Sequence, residues 1–81
     1  MFYTYMLRCN DGSLYTGYAV NLEQRLSKHQ DGVASKYTRC RLPVKLVYYE
    51  TFETKSEAMK REIAIKKLSK KLKEELILTT D

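Results

Sequence analysis

The run Phe2-Tyr3-Thr4-Tyr5-Met6-Leu7-Arg8-Cys9-Asn10-Asp11-Gly12-Ser13-Leu14-Tyr15-Thr16-Gly17-Tyr18 reads as a hairpin, and that reading decides the fold. From Phe2 to Cys9 the side chains alternate as on a strand, with Tyr3, Tyr5, Leu7 and Cys9 on one face and Phe2, Thr4, Met6 and Arg8 on the other. Asn10-Asp11-Gly12-Ser13 is turn chemistry, because Gly and Asn or Asp tolerate the positive φ angles that a tight hairpin requires. Leu14 to Tyr18 then returns, with Tyr15 and Gly17 on one side and Leu14, Thr16 and Tyr18 on the other. A glycine inside a strand weakens it unless something must come close to the backbone there.

Beyond the hairpin, Asn21 is placed to cap a helix, and Gln24 completes a capping-box-like pair. Leu22, Leu26 and His29 share one helical face with Arg25 beside them, and Gly32 suits the helix end. Val33 to Leu42 has no clean period and is expected to be a loop. Its Lys36, Arg39 and Arg41 around Tyr37 could follow a phosphate backbone or simply be solvated. After Pro43, Val44 to Phe52 is the clearest β run, apolar on both faces, as a central strand would be. Thr54-Lys55-Ser56-Glu57 is a capping box opening a helix to about Lys67. A last short helix is expected over Leu68 to Leu78, anchored by Leu68, Leu72, Leu76 and Ile77. The order β-β-α-β-α-α implies an α+β fold, an antiparallel-containing sheet covered by helices.

The 81 residues suffice for one domain, residues 1–81, with a thin stability margin for its size. Fifteen Lys and Arg against ten Asp and Glu leave a net charge of +5, which favours an anionic partner such as nucleic acid. Cys9 and Cys40 fit neither a disulfide framework nor a metal site and are expected as reduced thiols. The first residues lack the pattern of a signal peptide, and no apolar run approaches the length of a membrane span. The expected setting is the cytoplasm.

Glu62 breaks its pattern. On a helical projection it falls among Ala58, Met59 and Ile63, inside an otherwise apolar arc. An acid aimed at a core is costly unless it is paired or holds a metal ion. An ion pair with Lys66 or Arg25 and a metal ligand are both open from periodicity alone.

Taken together, Tyr3-Thr4-Tyr5, Tyr15-Thr16-Gly17, Arg25 and His29 four residues apart, and the later Glu62 resemble the GIY-YIG nuclease family over nearly the whole chain. Asp11 to Gly17, Ser35-Lys36-Tyr37-Thr38-Arg39 and Pro43 to Tyr48 are similar to its small, stand-alone bacterial subgroup. The resemblance implies a three-stranded antiparallel sheet flanked by helices, one divalent ion (Mg²⁺ or Mn²⁺), and hydrolysis of DNA phosphodiesters, in repair or recombination. Carried over by position, Glu62 is the metal ligand, Tyr15 orients or deprotonates the attacking water, and Tyr5 lines the site beside the phosphate. Arg25 stabilises the developing charge, His29 assists proton transfer or positions water, and Gly17 allows close approach of substrate. Lys36, Arg39, Arg41 and Lys45 are the expected nucleic-acid contacts. Tyr3 stands where the first motif opens on glycine, Thr4 and Thr16 stand for isoleucines, and Tyr18 stands where some relatives carry lysine.

The leading expectation is therefore a metal-dependent DNA endonuclease. Its rival is a nucleic-acid-binding module of the same fold that cuts poorly or needs a protein partner to supply target specificity. A third reading is a scaffold whose polar cluster is only an ion-pair network. The joint presence of Tyr5, Tyr15, Arg25, His29 and Glu62 favours the first, because a carboxylate in a phosphate-binding site repels the ligand unless a metal intervenes.

Overall fold

The computed structural model describes residues 1–79, so the last two positions of the expected domain lie outside the described residues. Strands β1 (Phe2–Arg8) and β2 (Leu14–Ala19) form the hairpin, with Tyr5 opposite Gly17 and Leu7 opposite Tyr15. Gly12 takes a φ of +84° in the turn, and the Asp11 carboxylate accepts from the Ser13 backbone at 3.0 Å. Helix α1 (Leu22–Gln30) begins at Asn21, whose side chain accepts from the Gln24 backbone. Past its end, Gly32 adopts a φ of +78°, the left-handed geometry of a helix terminus.

The segment expected as a loop folds further than its pattern suggested. A short helix α2 (Lys36–Arg39) opens on a Ser35 cap, and Thr38 within it is completely buried. Polar links that are not periodic in sequence hold the segment down. Arg41 bonds Asp11 at 2.9 Å and the Tyr37 carbonyl at 2.9 Å, and its guanidinium lies 4.0 Å over the Tyr37 ring.

Strand β3 (Lys45–Phe52) pairs antiparallel with β1 and completes a sheet of order β2-β1-β3. The expectation that this strand is central is thereby corrected: β1 occupies the middle and β3 an edge. Its two apolar faces arise instead from a register shift opposite Met6 and Leu7. Leu46 packs on the α1 side of the sheet, while Val47 and Tyr48 both pack on the other. A bulge of this kind places neighbouring residues on one face and breaks strict alternation.

One core gathers Tyr5, Leu7, Cys9, Ala19 and Val44 with Leu22 and Leu26 of α1. On the opposite face Met6, Tyr48 and Ile65 pack with Leu76 and Ile77. Helix α3 (Lys55–Lys66) opens on the Thr54 cap, with Thr54 and Glu57 bonded reciprocally. It is pinned at two points. Thr4 Oγ1 donates to the Ala58 carbonyl at 2.6 Å, and Arg61 holds both Glu50 oxygens at 3.0–3.1 Å while Tyr48 donates to the same carboxylate. The inward face of α3 is thus Ala58, Arg61, Glu62 and Ile65, whereas Met59 and Ile63, expected inside, are 41% and 53% exposed. Helix α4 (Lys70–Leu78) starts at Ser69 and is clamped by the Arg8–Glu74 pair. Leu72, expected as an anchor, is exposed, because Leu76 and Ile77 make up the face turned to the sheet. Among the described residues no helix is long and apolar enough to cross a membrane.

Candidate active site

Strand alternation places Tyr5 on the α1 face of β1, and the antiparallel register sets Gly17 beside it. A Cβ at Gly17 would lie 2.5 Å from Tyr5 Oη and 2.6 Å from its Cζ. The group that approaches this glycine is therefore the Tyr5 phenol, and the space above the backbone is already filled. Substrate approach, the role expected of Gly17, is in this geometry occupied by a side chain of the protein.

Helix α1 delivers His29 to the same spot. Tyr5 Oη and His29 Nε2 are 2.8 Å apart, and His29 Nδ1 is 2.9 Å from Thr38 Oγ1. The Tyr15 ring meets the imidazole edge-on at 5.1 Å between centroids, and it also lies 5.9 Å from the Tyr37 ring. Burial raises the Tyr5 phenol far above its ordinary pKa, with the Tyr15 phenol adding and Arg25 opposing. Tyr5 is thus a held proton donor at neutral pH and not a base. Burial, and then the Arg25 charge, push the His29 imidazole below its ordinary value and keep it neutral.

Arg25 and Glu62 stand on helices packed against opposite faces of the sheet, and both act electrostatically on Tyr5, Arg25 more than Glu62. Arg25 is half-buried, and its guanidinium makes no hydrogen bond or ion pair among the described residues. Glu62, whose side chain is 19% exposed, pairs among the described residues only with Lys66 at 3.3 Å, one helical turn on. An i,i+4 helix pair contributes about 0.3–0.5 kcal/mol, and with the Lys66 side chain itself 53% exposed the lysine is easily displaced. Beside Arg25 a groove of about 190 Å³ runs along the end of β2, lined by Tyr18, Asn21, Gln24 and Lys28.

Among the described residues no three His, Cys, Asp or Glu side chains gather into a metal cluster. The donor set is one carboxylate beside phenols, which fits a hard ion such as Mg²⁺, an ion that keeps most of its waters and takes one or two carboxylates plus substrate oxygens. It does not fit zinc, which would want several thiolates or imidazoles.

Of the expected nucleic-acid contacts, Lys36, Arg39 and Lys45 are exposed and form no ion pair among the described residues. Arg41 is already engaged by Asp11, Tyr37 and the Tyr37 ring, and it serves the loop. Two neighbours of the site carried no sequence signal of that role. Thr38 is partner to His29, and Thr4 pins α3 one turn before Glu62. The only hint of the first was the Ser35-x-x-Thr38 spacing, a helix-capping pattern with many other uses.

The GIY-YIG catalytic domain matches residues 1–75. A UPF0213 protein of Staphylococcus saprophyticus is 56% identical over 75 residues, covering 93% of this chain and 92% of the relative. A UPF0213 protein of Bacillus licheniformis is 60% identical over 75 residues, covering 93% and 77%. The solution NMR structure of a UPF0213 protein from Bacillus halodurans superimposes with a TM-score of 0.61 at 46% identity, covering 95% of this chain and 83% of that one. The solution NMR structure of an E. faecalis protein gives 0.63 at 48% identity, covering 95% and 82%.

Proposed function

The chain belongs to the GIY-YIG family, whose catalytic domain is of the nuclease type, and from that premise we propose that it is a divalent-metal-dependent endonuclease hydrolysing DNA phosphodiesters, acting in repair or recombination. One observation carries the reading. Among the described residues a half-buried guanidinium without a partner, Arg25, and a carboxylate held only by a displaceable lysine, Glu62, both act electrostatically on the buried Tyr5 phenol. A scaffold gains nothing from leaving Arg25 unpaired, and a plain binding module gains nothing from Glu62.

In-line displacement at phosphorus builds negative charge on the non-bridging oxygens. Arg25 would neutralise that charge in the planar, bidentate manner suited to phosphate. Glu62 would hold one Mg²⁺ or Mn²⁺, which when bound supplies charge neutralisation and makes a coordinated water more acidic. Tyr15, between His29 and Tyr37, orients or deprotonates the attacking water, and Tyr5 with His29 behind it lines the site beside the scissile phosphate. Lys28, Lys36, Arg39 and Lys45 extend the positive surface along which the strand lies, and a protein partner supplies target choice.

Purified protein with Mg²⁺ or Mn²⁺ should nick DNA in a panel of duplex, flap, branched and single-stranded substrates. Glu62→Ala and Arg25→Ala should each abolish nicking with an unchanged circular dichroism spectrum. Equal cutting by Glu62→Ala would remove the metal assignment. Salt-sensitive binding with no cutting by the wild type would favour the binding module.

A further inference from the structure

Behind Tyr5 a buried chain of hydrogen bonds runs through His29 Nε2 at 2.8 Å, from Nδ1 to Thr38 Oγ1 at 2.9 Å, and on to the Ser35 carbonyl at 3.3 Å. His29 is 1% exposed and Thr38 0%, so each proton must find its acceptor inside the protein. A neutral imidazole offers one donor and one acceptor nitrogen.

Suppose first that Nε2 carries the proton. It then donates to Tyr5 Oη, and the phenolic proton has no acceptor among the described residues. Thr38 must spend its only proton on Nδ1 and give up the Ser35 carbonyl. With the proton on Nδ1 instead, every donor is used: Tyr5 donates to Nε2, Nδ1–H to Thr38, and Thr38 to Ser35. Leaving a buried donor unpaired costs its full desolvation penalty, enough to decide between the tautomers.

We propose that Thr38 is a positioning residue of this site: it fixes His29 as the Nδ1–H tautomer, which turns the Tyr5 proton inward. Tyr5 Oη can then accept a hydrogen bond from a neighbour but cannot offer one. Beside an anionic phosphate such an oxygen holds a water or a guanidinium, not a phosphate oxygen. Helix α2 sets the geometry, since Ser35 both caps it and receives the Thr38 hydroxyl. The catalytic consequence rests on the nuclease reading; the tautomer does not.

His29 is the only histidine in the chain, so its imidazole nitrogens are read without ambiguity by long-range ¹H–¹⁵N NMR. Wild type should show the Nδ1–H pattern, Thr38→Val should shift it toward Nε2–H, and Thr38→Ser should restore it. Cleavage should fall about tenfold or more in Thr38→Val, the scale known for hydrogen-bond partners that orient a metal-bound histidine, and recover in Thr38→Ser. An Nε2–H pattern in the wild type, which needs no variant to fold, would overturn the proposal. So would an unmoved tautomer in folded Thr38→Val, or equal loss of cleavage in both variants. A wild type that does not cut, with the tautomer still moved by Thr38→Val, overturns the nuclease reading and upholds the lock.

Discussion

At Gly17 the register of the hairpin leaves no room for choice. Any side chain there meets the Tyr5 phenol, so Gly17→Ala must push Tyr5 off His29. Overpacking of this kind costs about 1–3 kcal/mol, and we expect that loss in urea denaturation together with a loss of cleavage. His29 supplies a second expectation at this scale. Its pKa lies below the ordinary 6.5, so the unfolded chain binds a proton that the folded chain refuses. The stabilisation is complete above pH 6.5 and is lost as the pH falls below it. Lowering the pH from about 7.5 to about 5 should depress the urea midpoint, and His29→Gln should flatten that slope. Asp11 and Glu74 are held below their ordinary values by Ser13 and by Arg8 respectively, so they titrate lower still and leave this window clear.

Among the elements, the hairpin, the Asn21 and Thr54 caps and the following helices were legible because each has a local cause: alternation, turn residues, or a capping pair. What escaped is non-local. The sheet order placed Val44 to Phe52 at an edge, since a half-buried edge strand with a bulge carries the same apolar pattern as a central one. Residues 36–39 became a helix through Ser35, Asp11 and a buried threonine, none of which leaves a period. Of the candidate site, the residue types were readable, but the bond from Thr38 to His29 was not. Helix α3 supplies the expectation at this scale. Thr4→Val keeps the volume of the side chain but removes the bond to the Ala58 carbonyl, leaving α3 pinned only by Arg61 and Glu50. The expected cost is about 1 kcal/mol, with faster amide exchange across residues 58–65 while α4 is unaffected.

The whole molecule measures 30 × 27 × 23 Å. At 3.4 Å per base pair its longest axis spans about nine pairs, less than one turn of duplex, so few phosphates can be touched at once. We expect weak DNA binding with a shallow salt slope. Lys36→Ala or Lys45→Ala should each reduce that slope by about one. Arg41→Ala should instead lower thermal stability and leave the slope nearly unchanged, since its charge is spent on Asp11. Titration of fluorescent duplex against potassium chloride separates the two outcomes.

Helices α1 and α3 approach the sheet from opposite faces, and the strand that separates them along the chain, β3, is the third and last to be synthesised. On the proposed reading, a nascent chain that has emerged only as far as β3 already carries its phenols, imidazole and guanidinium, yet it lacks the carboxylate. Cutting power then switches on only when residues 55–66 have emerged and docked. A ribosome stalled before that point releases a fragment harmless to the genome.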